Sequence, residues 1–392
     1  MRLRPPVRGG RRGRRRGART LCERAARARA VRRHRPRGGL PLRGRRPGGV
    51  PMTTAKNAAP APAPVPAART ADTRPLLRVR DLTMAFPGKR SVSGRRGAPV
   101  RAVDGVSFEL SAGQTLGLVG ESGCGKSTTG RMLVRLLEPT SGSVEFDGKD
   151  ITRLSQGALR PLRRHVQMVF QDPHSSLNPR QTVARIISDP LLVQGSSAAD
   201  ARRRAAELME LVGLIPEHID RYPHEFSGGQ AQRIGIARSL ATSPRLIIAD
   251  EPVSALDVSV QAQIVNLMER LRAELGLAYV FIAHDLSVVK RVSDRVAVMY
   301  LGRIVEIGDK KSLYENPQHP YTRALLSAVP LPDPAAERRR ERIVLLGDPP
   351  SPAAPPPGCT FHPRCPMAQE ICRTERPLLR IVASREVACH LV

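Results

Sequence analysis

The sequence predicts an α/β fold with a mainly parallel sheet core, an α-helical insertion and a small Cys-containing C-terminal tail domain. Three observations predict it. Thr115-Leu116-Gly117-Leu118-Val119 is short and apolar, as strands buried on both faces are, and it runs straight into a glycine-rich loop. Strand-like runs return at Arg245–Ala249, Ala278–Ala283 and Val296–Met299, with the helical pattern VQAQIVNLMERLRAEL between the first two. Strands alternating with helices imply parallel pairing through crossover connections. Residues from about 155 to 240 read mainly as helix, most clearly AADARRRAAELMELVGL, and so form the insertion.

In chain order, the first element is not a folding element. The chain of 392 residues carries a net charge of +29, and residues 1–51 hold 19 Arg against the single acid Glu23, or +18 of that total. Arg, Gly, Pro and Ala dominate this stretch, which has too few large apolar residues to build a core. The expectation is that Met52 is the true start and that residues 1–51 are a misassigned upstream frame. The alternative is a basic nucleic-acid-binding arm. The stretch has no apolar h-region and does not read as a secretory signal. Residues 52–75 are an Ala/Pro linker. No run of about 18 apolar residues occurs, so no segment reads as spanning a bilayer, and work at a membrane would require docking onto another protein.

Structured sequence is expected from residue 76 to 330. LLRVRDLTMAF alternates like a strand, VRAVDGVSFEL resembles a second strand with a turn at Asp104-Gly105, and TTGRMLVRLL follows the glycine loop as a helix. Residues 331–392 form the Pro-rich, Cys-containing tail.

The loop Gly120-Glu121-Ser122-Gly123-Cys124-Gly125-Lys126-Ser127 fits G-x-x-x-x-G-K-[ST] between a strand and a helix, the setting in which such a loop cradles phosphates. Its glycines let backbone N–H groups approach the phosphates, and the helix N-terminus adds a favourable dipole. Lys126 is suited to reach the β/γ-phosphates and Ser127 to ligate Mg²⁺. Cys124 is a tolerated filler without a redox role. Arg245–Ala249 leads into Asp250-Glu251, an apolar strand ending in two carboxylates. Asp250 suits the shell of Mg²⁺, which prefers oxygen ligands, and Glu251 can face the attacking water.

With these residues in place, the chain from about 76 to 330 resembles the ATP-binding-cassette (ABC) ATPases. That resemblance implies a P-loop NTPase ABC cassette with an antiparallel β subdomain. It extends the nucleotide-binding set through Thr128 and implies roles for further residues. Phe86 stands at the adenine-stacking aromatic, and Gln171 in VFQDPHSSLNPR at the Q-loop glutamine that contacts Mg²⁺. Ser254-Ala255-Leu256-Asp257 resembles the interface D-loop, and His284 the switch histidine at the γ-phosphate. Ser227-Gly228-Gly229-Gln230 resembles the signature that completes the nucleotide site of a second cassette, so the chain is expected to be half of a dimer. RYPHEFSGGQ, QDPHSSLNPR, ADEPVSALDVSVQAQI, FIAHDLSVV, VMYLGRIVE and HPYTRALLSAVP are similar to the dipeptide/oligopeptide importer ATPases, F-type subunit.

The resemblance implies ATP hydrolysis with Glu251, His284 and Lys126 as catalytic residues. The implied partners are a D-type ATPase, two transmembrane permeases and an extracytoplasmic solute-binding protein, and no nucleic acid. The implied location is peripheral, on the cytoplasmic face of the plasma membrane. Nickel, glutathione or another small solute is the alternative cargo. A soluble ABC ATPase of translation or DNA repair is the rival class. It fits less well, because tandem cassettes and coiled-coil insertions are missing from this sequence. Ala231, where relatives carry a basic residue, is expected to lose a surface charge near the interface.

The tail GDPPSP…GCTFHPRCP…VACH continues the resemblance. Its Cys359, Cys365, Cys372 and Cys389, spaced C-x5-C-x6-C-x16-C, can hold a [4Fe–4S] cluster or Zn²⁺, or remain free thiols. The resemblance favours the iron–sulfur cluster in a structural role. His362 and His390 are candidate substitute ligands.

Overall fold

The computed structural model describes residues 74–88, 97–330, 333–339 and 342–392. They all belong to the unit Ala68–Val392. The Arg-rich segment with Cys22, and all but the last two residues of the linker, lie outside the described residues.

Among the described residues, twelve strands form two sheets. They are β1 (Leu77–Phe86), β2 (Val100–Leu110), β3 (Thr115–Val119), β4 (Ser141–Phe146), β5 (Lys149–Asp150) and β6 (Val166–Val169), then β7 (Leu246–Asp250), β8 (Ala278–Ile282), β9 (Arg295–Tyr300), β10 (Arg303–Asp309), β11 (Arg380–Val382) and β12 (Arg385–Val387). The smaller sheet, in the order β2-β1-β4-β5, is antiparallel throughout. The larger has the order β11-β12-β10-β9-β3-β8-β7-β6. Its five strands from β9 to β6 in that order are parallel, and β10, β12 and β11 add an antiparallel edge.

Alternation along the parallel strands sorts their side chains into two cores, because successive side chains point to opposite faces. Tyr279, Phe281, Ile247, Ala249, Val296 and Val298 face one core, shared with the insertion. Leu116, Leu118, Val280, Ile282, Ile248 and Met299 face the other, shared with the antiparallel sheet. A strand flanked by apolar layers on both sides cannot show a polar face, which is why TLGLV is buried at every position.

The helices in chain order are α1 (Lys126–Leu133), α2 (Gln156–Leu159), α3 (Pro173–Ser176), α4 (Val183–Val193), α5 (Ala198–Leu211), α6 (Gly228–Leu240) and α7 (Val258–Leu275), then α8 (Leu286–Val292), α9 (Lys310–Glu315), α10 (Pro320–Ser327), α11 (Pro334–Arg339) and α12 (Glu370–Thr374). Helices α4, α5 and α6 supply most of the apolar surface of the insertion. Among the described residues, no helix is long and apolar enough to cross a membrane.

Three departures from the sequence expectations have physical causes. The span from 155 to 240 contains a strand, β6, whose four residues are too few to declare a period but pair in parallel with β7. The expected turn at Asp104-Gly105 is a bulge within a continuous β2. Gly105 has φ 79° and no partner in the register, while Thr83 pairs with Asp104 and Leu82 with Val106. Finally, the tail attaches through the main sheet. β12 pairs with β10 at Glu306 and Ile307, and Phe361 enters the core on the insertion side.

Candidate nucleotide site

Four adjacent parallel strands, β3, β8, β7 and β6, end at one edge of the sheet, the edge at which open α/β sheets bind ligands. Each carboxyl end delivers one expected group. β3 gives the loop 120–127, β6 gives Gln171, β7 gives Asp250 and Glu251, and β8 gives His284.

The loop is shaped by its glycines and closed by its lysine. Gly125, the residue before α1, has φ 104°, and a Cβ there would lie 2.1 Å from the Ala102 carbonyl oxygen, so the position requires glycine. Lys126 is buried, and its Nζ donates to the carbonyl oxygens of Gly120 (2.8 Å) and Glu121 (3.0 Å). The ammonium is therefore drawn back over the loop. The first turn of α1 has no side-chain cap and no acidic residue, and the first N–H groups of a helix have no acceptor within it. That end of the helix is suited to an anion. Ser122 and Gly123 are exposed, and Thr128 is half-buried in the first turn. Cys124 is buried, and burial pushes its thiol up, as suits an inert filler.

The carboxylates divide into two environments. Asp250 is 2 % exposed, and its Oδ1 accepts a 2.6 Å hydrogen bond from the Ser127 hydroxyl. Burial pushes the Asp250 carboxyl up, and the bond from Ser127 opposes that shift. Two hard oxygen donors thus meet beside the loop, and this donor set fits Mg²⁺. Glu251, the next residue, turns away at φ 45°. Its Oε2 accepts from Gln171 Nε2 (2.9 Å) and lies 3.4 Å from His284 Nδ1. The structure therefore joins Gln171, Glu251 and His284 in one cluster and Ser127 with Asp250 in another.

The remaining expected residues lie elsewhere. Ser227 caps α6 reciprocally with Gln230. Its hydroxyl accepts from the Gln230 N–H (3.4 Å), and Gln230 Oε1 accepts from the Ser227 N–H (3.0 Å). Gly228 and Gly229 pack against Leu256 and Val260, and Asp257 caps α7 by position without a side-chain bond. Among the described residues, no hydrogen bond joins Ser227–Gln230 to the chain's own phosphate loop. Phe86 ends β1 opposite Val100 and is 36 % exposed. The surface position expected for Ala231 is corrected: it is fully buried, because it lies on the side of α6 that packs on the core.

The four tail cysteines lie within electrostatic range of one another, and each is buried or half-buried. Burial raises the thiols of Cys359, to about 11, Cys365 and Cys389. Among the described residues, however, no three His, Cys, Asp or Glu side chains are placed to hold a metal ion, so the four thiols do not form a closed ligand set. His362 Nδ1 and His390 Nε2 contact the backbone oxygens of Cys359 (2.9 Å) and Glu375 (3.0 Å).

Two contacts were not foreseen from sequence. The Glu121 N–H donates to the Tyr321 hydroxyl (3.0 Å), and its carboxylate accepts from Arg364 (2.9 Å). Both partners lie in segments noted only as subgroup markers, HPYTRALL and HPRC.

A glycine loop between strand and helix, with a serine–aspartate pair beside it, defines a P-loop nucleotide-binding domain. Residues 103–254 match the family model described as ABC transporter, and residues 305–372 match that of the oligopeptide/dipeptide transporter C-terminal region. The oligopeptide transport ATP-binding protein AppF of Bacillus subtilis is 55 % identical over 81 % of this chain and 97 % of its own length. The di/tripeptide transport ATP-binding protein DppF of Pseudomonas aeruginosa is 52 % identical over 80 % of this chain and 97 % of its own. The dimeric ATP-binding cassette MJ0796, in a post-hydrolysis state with ADP and Pi, superposes with a TM-score of 0.54 at 28 % identity, covering 60 % of this chain and 98 % of that one. The chain belongs to the ATP-binding proteins of ABC transporters, in the branch that carries the oligopeptide/dipeptide C-terminal region, and it is an ATPase.

Proposed function

We propose that this ATPase drives import of dipeptides and oligopeptides as one of two cassettes docked on permease subunits. The cargo reading is supported by the relatives named for oligopeptide and di/tripeptide transport and by the C-terminal region. The hydrolytic reading is carried by one observation: Glu251 is held between Gln171 and His284 at the strand edge beside the phosphate loop.

In this reading the N–H groups of the loop 120–127 other than that of Glu121, which is held by Tyr321, bind the phosphates of ATP together with that of Thr128, and Phe86 stacks on adenine. Ser127, Asp250 and Gln171 would hold Mg²⁺, which would supply charge neutralisation at the phosphates. Lys126 exchanges the Gly120 and Glu121 carbonyls for the β/γ-phosphates. Glu251 orients water toward the γ-phosphate, and His284 steadies that phosphate from the other side of the carboxylate. The capped N-terminus of α6, with Ser227, Gly228, Gly229 and Gln230, faces the ATP of a partner cassette, and Asp257 meets that partner. Val258, beside Asp257, is 82 % exposed, which suits a surface that becomes covered. We take the partner to be a D-type ATPase and place the assembly on the cytoplasmic face of the membrane, fed by a solute-binding protein.

The permease reading is supported by a cleft of about 520 Å³ within the span 155–240, between the segment from α2 to β6 and helices α4 and α6. It is lined by Arg160, Gln167, Asn178, Asp189, Val193 and Arg238, close in sequence to Gln171. An iron–sulfur cluster at the tail cysteines is supported by the convergence of the four thiols alone. Anaerobically purified chain should show broad visible absorption and bound iron; colourless, iron-free protein would reject the cluster.

The decisive test is Glu251→Gln in the assembled transporter. Hydrolysis should fall by about a hundredfold or more, as when a group aligned with the reacting centre is lost, while ATP binding persists. Turnover at the parent rate would remove Glu251 from the mechanism.

A further inference from the structure

The phosphate loop is tied at Glu121, the residue after its first glycine, to α10 and to the C-terminal tail. The Glu121 N–H donates to the Tyr321 hydroxyl, and Arg364 Nη1 donates to both carboxylate oxygens, at 3.1 and 2.9 Å. The Glu121 carbonyl also accepts from Lys126. One residue of the loop is thus held by its N–H, its carbonyl and its side chain.

The posts that hold it are fixed. Tyr321 is fully buried, and the Arg364 side chain is 8 % exposed. The turn bearing Arg364 is anchored by Phe361, whose ring lies 5.2 Å edge-on from Tyr300, 5.4 Å from Tyr321 and 5.7 Å from His319. The Arg364 N–H bonds back to the Phe361 carbonyl at 3.0 Å. The guanidinium therefore projects from a packed aromatic cluster.

Two physical effects follow. A glycine-rich loop loses much conformational freedom on closing around an anion, and fixing one of its residues beforehand reduces that loss. Glu121 also puts a negative charge beside a site for a polyanion, and a sheltered cation at 2.9 Å offsets it with little screening. We propose that Arg364 and Tyr321 are positioning residues for the phosphate loop, through which the C-terminal region, from α10 into the tail, sets the affinity for ATP. The proposal rests on the nucleotide reading of that loop.

The test is equilibrium titration of the full chain with a fluorescent ATP analogue, paired with steady-state hydrolysis in the assembled transporter. Arg364→Ala should raise Kd and KM together by about tenfold, the size expected for losing a hydrogen bond between charged groups, with kcat at saturating ATP within about twofold. Arg364→Lys should recover most of the loss. Adding Glu121→Gln to Arg364→Ala should tighten binding again, because the unpaired carboxylate is gone; a purely structural Arg364 would give a double variant no better than the single. Arg376→Ala, at an exposed tail arginine paired with Asp104, should leave Kd unchanged.

An Arg364→Ala Kd within twofold of the parent, or a double variant no tighter than the single, overturns the proposal. If Arg364→Ala does not fold, Tyr321→Phe decides, since it removes only the hydroxyl that meets Glu121; an unchanged Kd there is equally fatal. Lys126→Ala should abolish binding. Binding that survives it refutes the nucleotide reading itself, a failure distinct from that of the clamp.

Discussion

Glu251 is held in the left-handed backbone region, at φ 45°, where a residue with a side chain costs about 1–3 kcal/mol. Its N–H bonds to the Ile282 carbonyl (2.9 Å), and its own carbonyl accepts from the Ser254 N–H and hydroxyl. These bonds hold the turn that swings the carboxylate away from Asp250 toward Gln171 and His284. The glycine loop shows the complementary case. At Gly125 a methyl would meet the Ala102 carbonyl at 2.1 Å, whereas at Gly123, with φ 78°, it would meet nothing within 4 Å. Gly123→Ala should cost about 1 kcal/mol from backbone conformation alone, and Gly125→Ala clearly more, with loss of ATP binding. Urea unfolding midpoints should rank parent, Gly123→Ala, Gly125→Ala; equal midpoints for the two variants would remove the steric argument. The loop's chemistry was legible because it is written in contiguous residues. The partner that forbids a side chain at Gly125 was not, since Ala102 reaches it from the other sheet.

Helix α6 shows how one element serves two sites. Its N-terminus carries the reciprocal cap of Ser227 and Gln230, and its last turn carries Arg238, which donates to the Ser176 carbonyl (2.7 Å) and lies 5.9 Å from the centre of the Phe170 ring. Phe170 immediately precedes Gln171, so the turn Ser227–Gln230 and the segment bearing Gln171 are joined through a single helix. Ser227→Ala should cost about 1 kcal/mol in unfolding free energy through loss of the cap. Turnover in the assembled transporter should fall much further, by about a hundredfold, if the same hydroxyl meets the partner's ATP. A fall no larger than the stability change explains would confine Ser227 to capping. Elements with a long period or a strong apolar run, such as α5, α7, β3 and β8, were readable from sequence. β6 and β10 were not read as strands. The first is too short to show alternation, and the second is buried at five of its seven positions and follows β9 after a two-residue turn.

At the scale of the molecule, the tail is fastened to the catalytic core by buried polar contacts that local sequence could not reveal; Glu121 and Arg364 are 243 residues apart. Arg385, on β12, pairs with the fully buried Glu306 and donates to the Ser312 and Asn316 carbonyls, while Glu306 also accepts the His319 N–H. His319 caps α10 by accepting the Tyr321 N–H at Nδ1 (3.1 Å), and burial pushes its imidazole down to about 3. The native state thus keeps His319 neutral at pH values where the unfolded chain protonates it. Between the ordinary value of 6.5 and about 3, unfolded chains bind the extra proton, so stability must fall as pH falls. The loss approaches about 1.4 kcal/mol per pH unit below 6.5 and amounts to about 1.4 kcal/mol by pH 5.5. Protonation at Nδ1 would also eject the Tyr321 N–H from the cap, and the Tyr321 hydroxyl is the one that holds Glu121. His319→Asn retains a capping oxygen but cannot titrate. Urea midpoints measured from pH 7.5 to 5.5 should therefore decline less steeply for this variant than for the parent, by about 1.4 kcal/mol over the range. Parallel decline of parent and variant would show that the buried histidine does not contribute to the loss of stability on acidification.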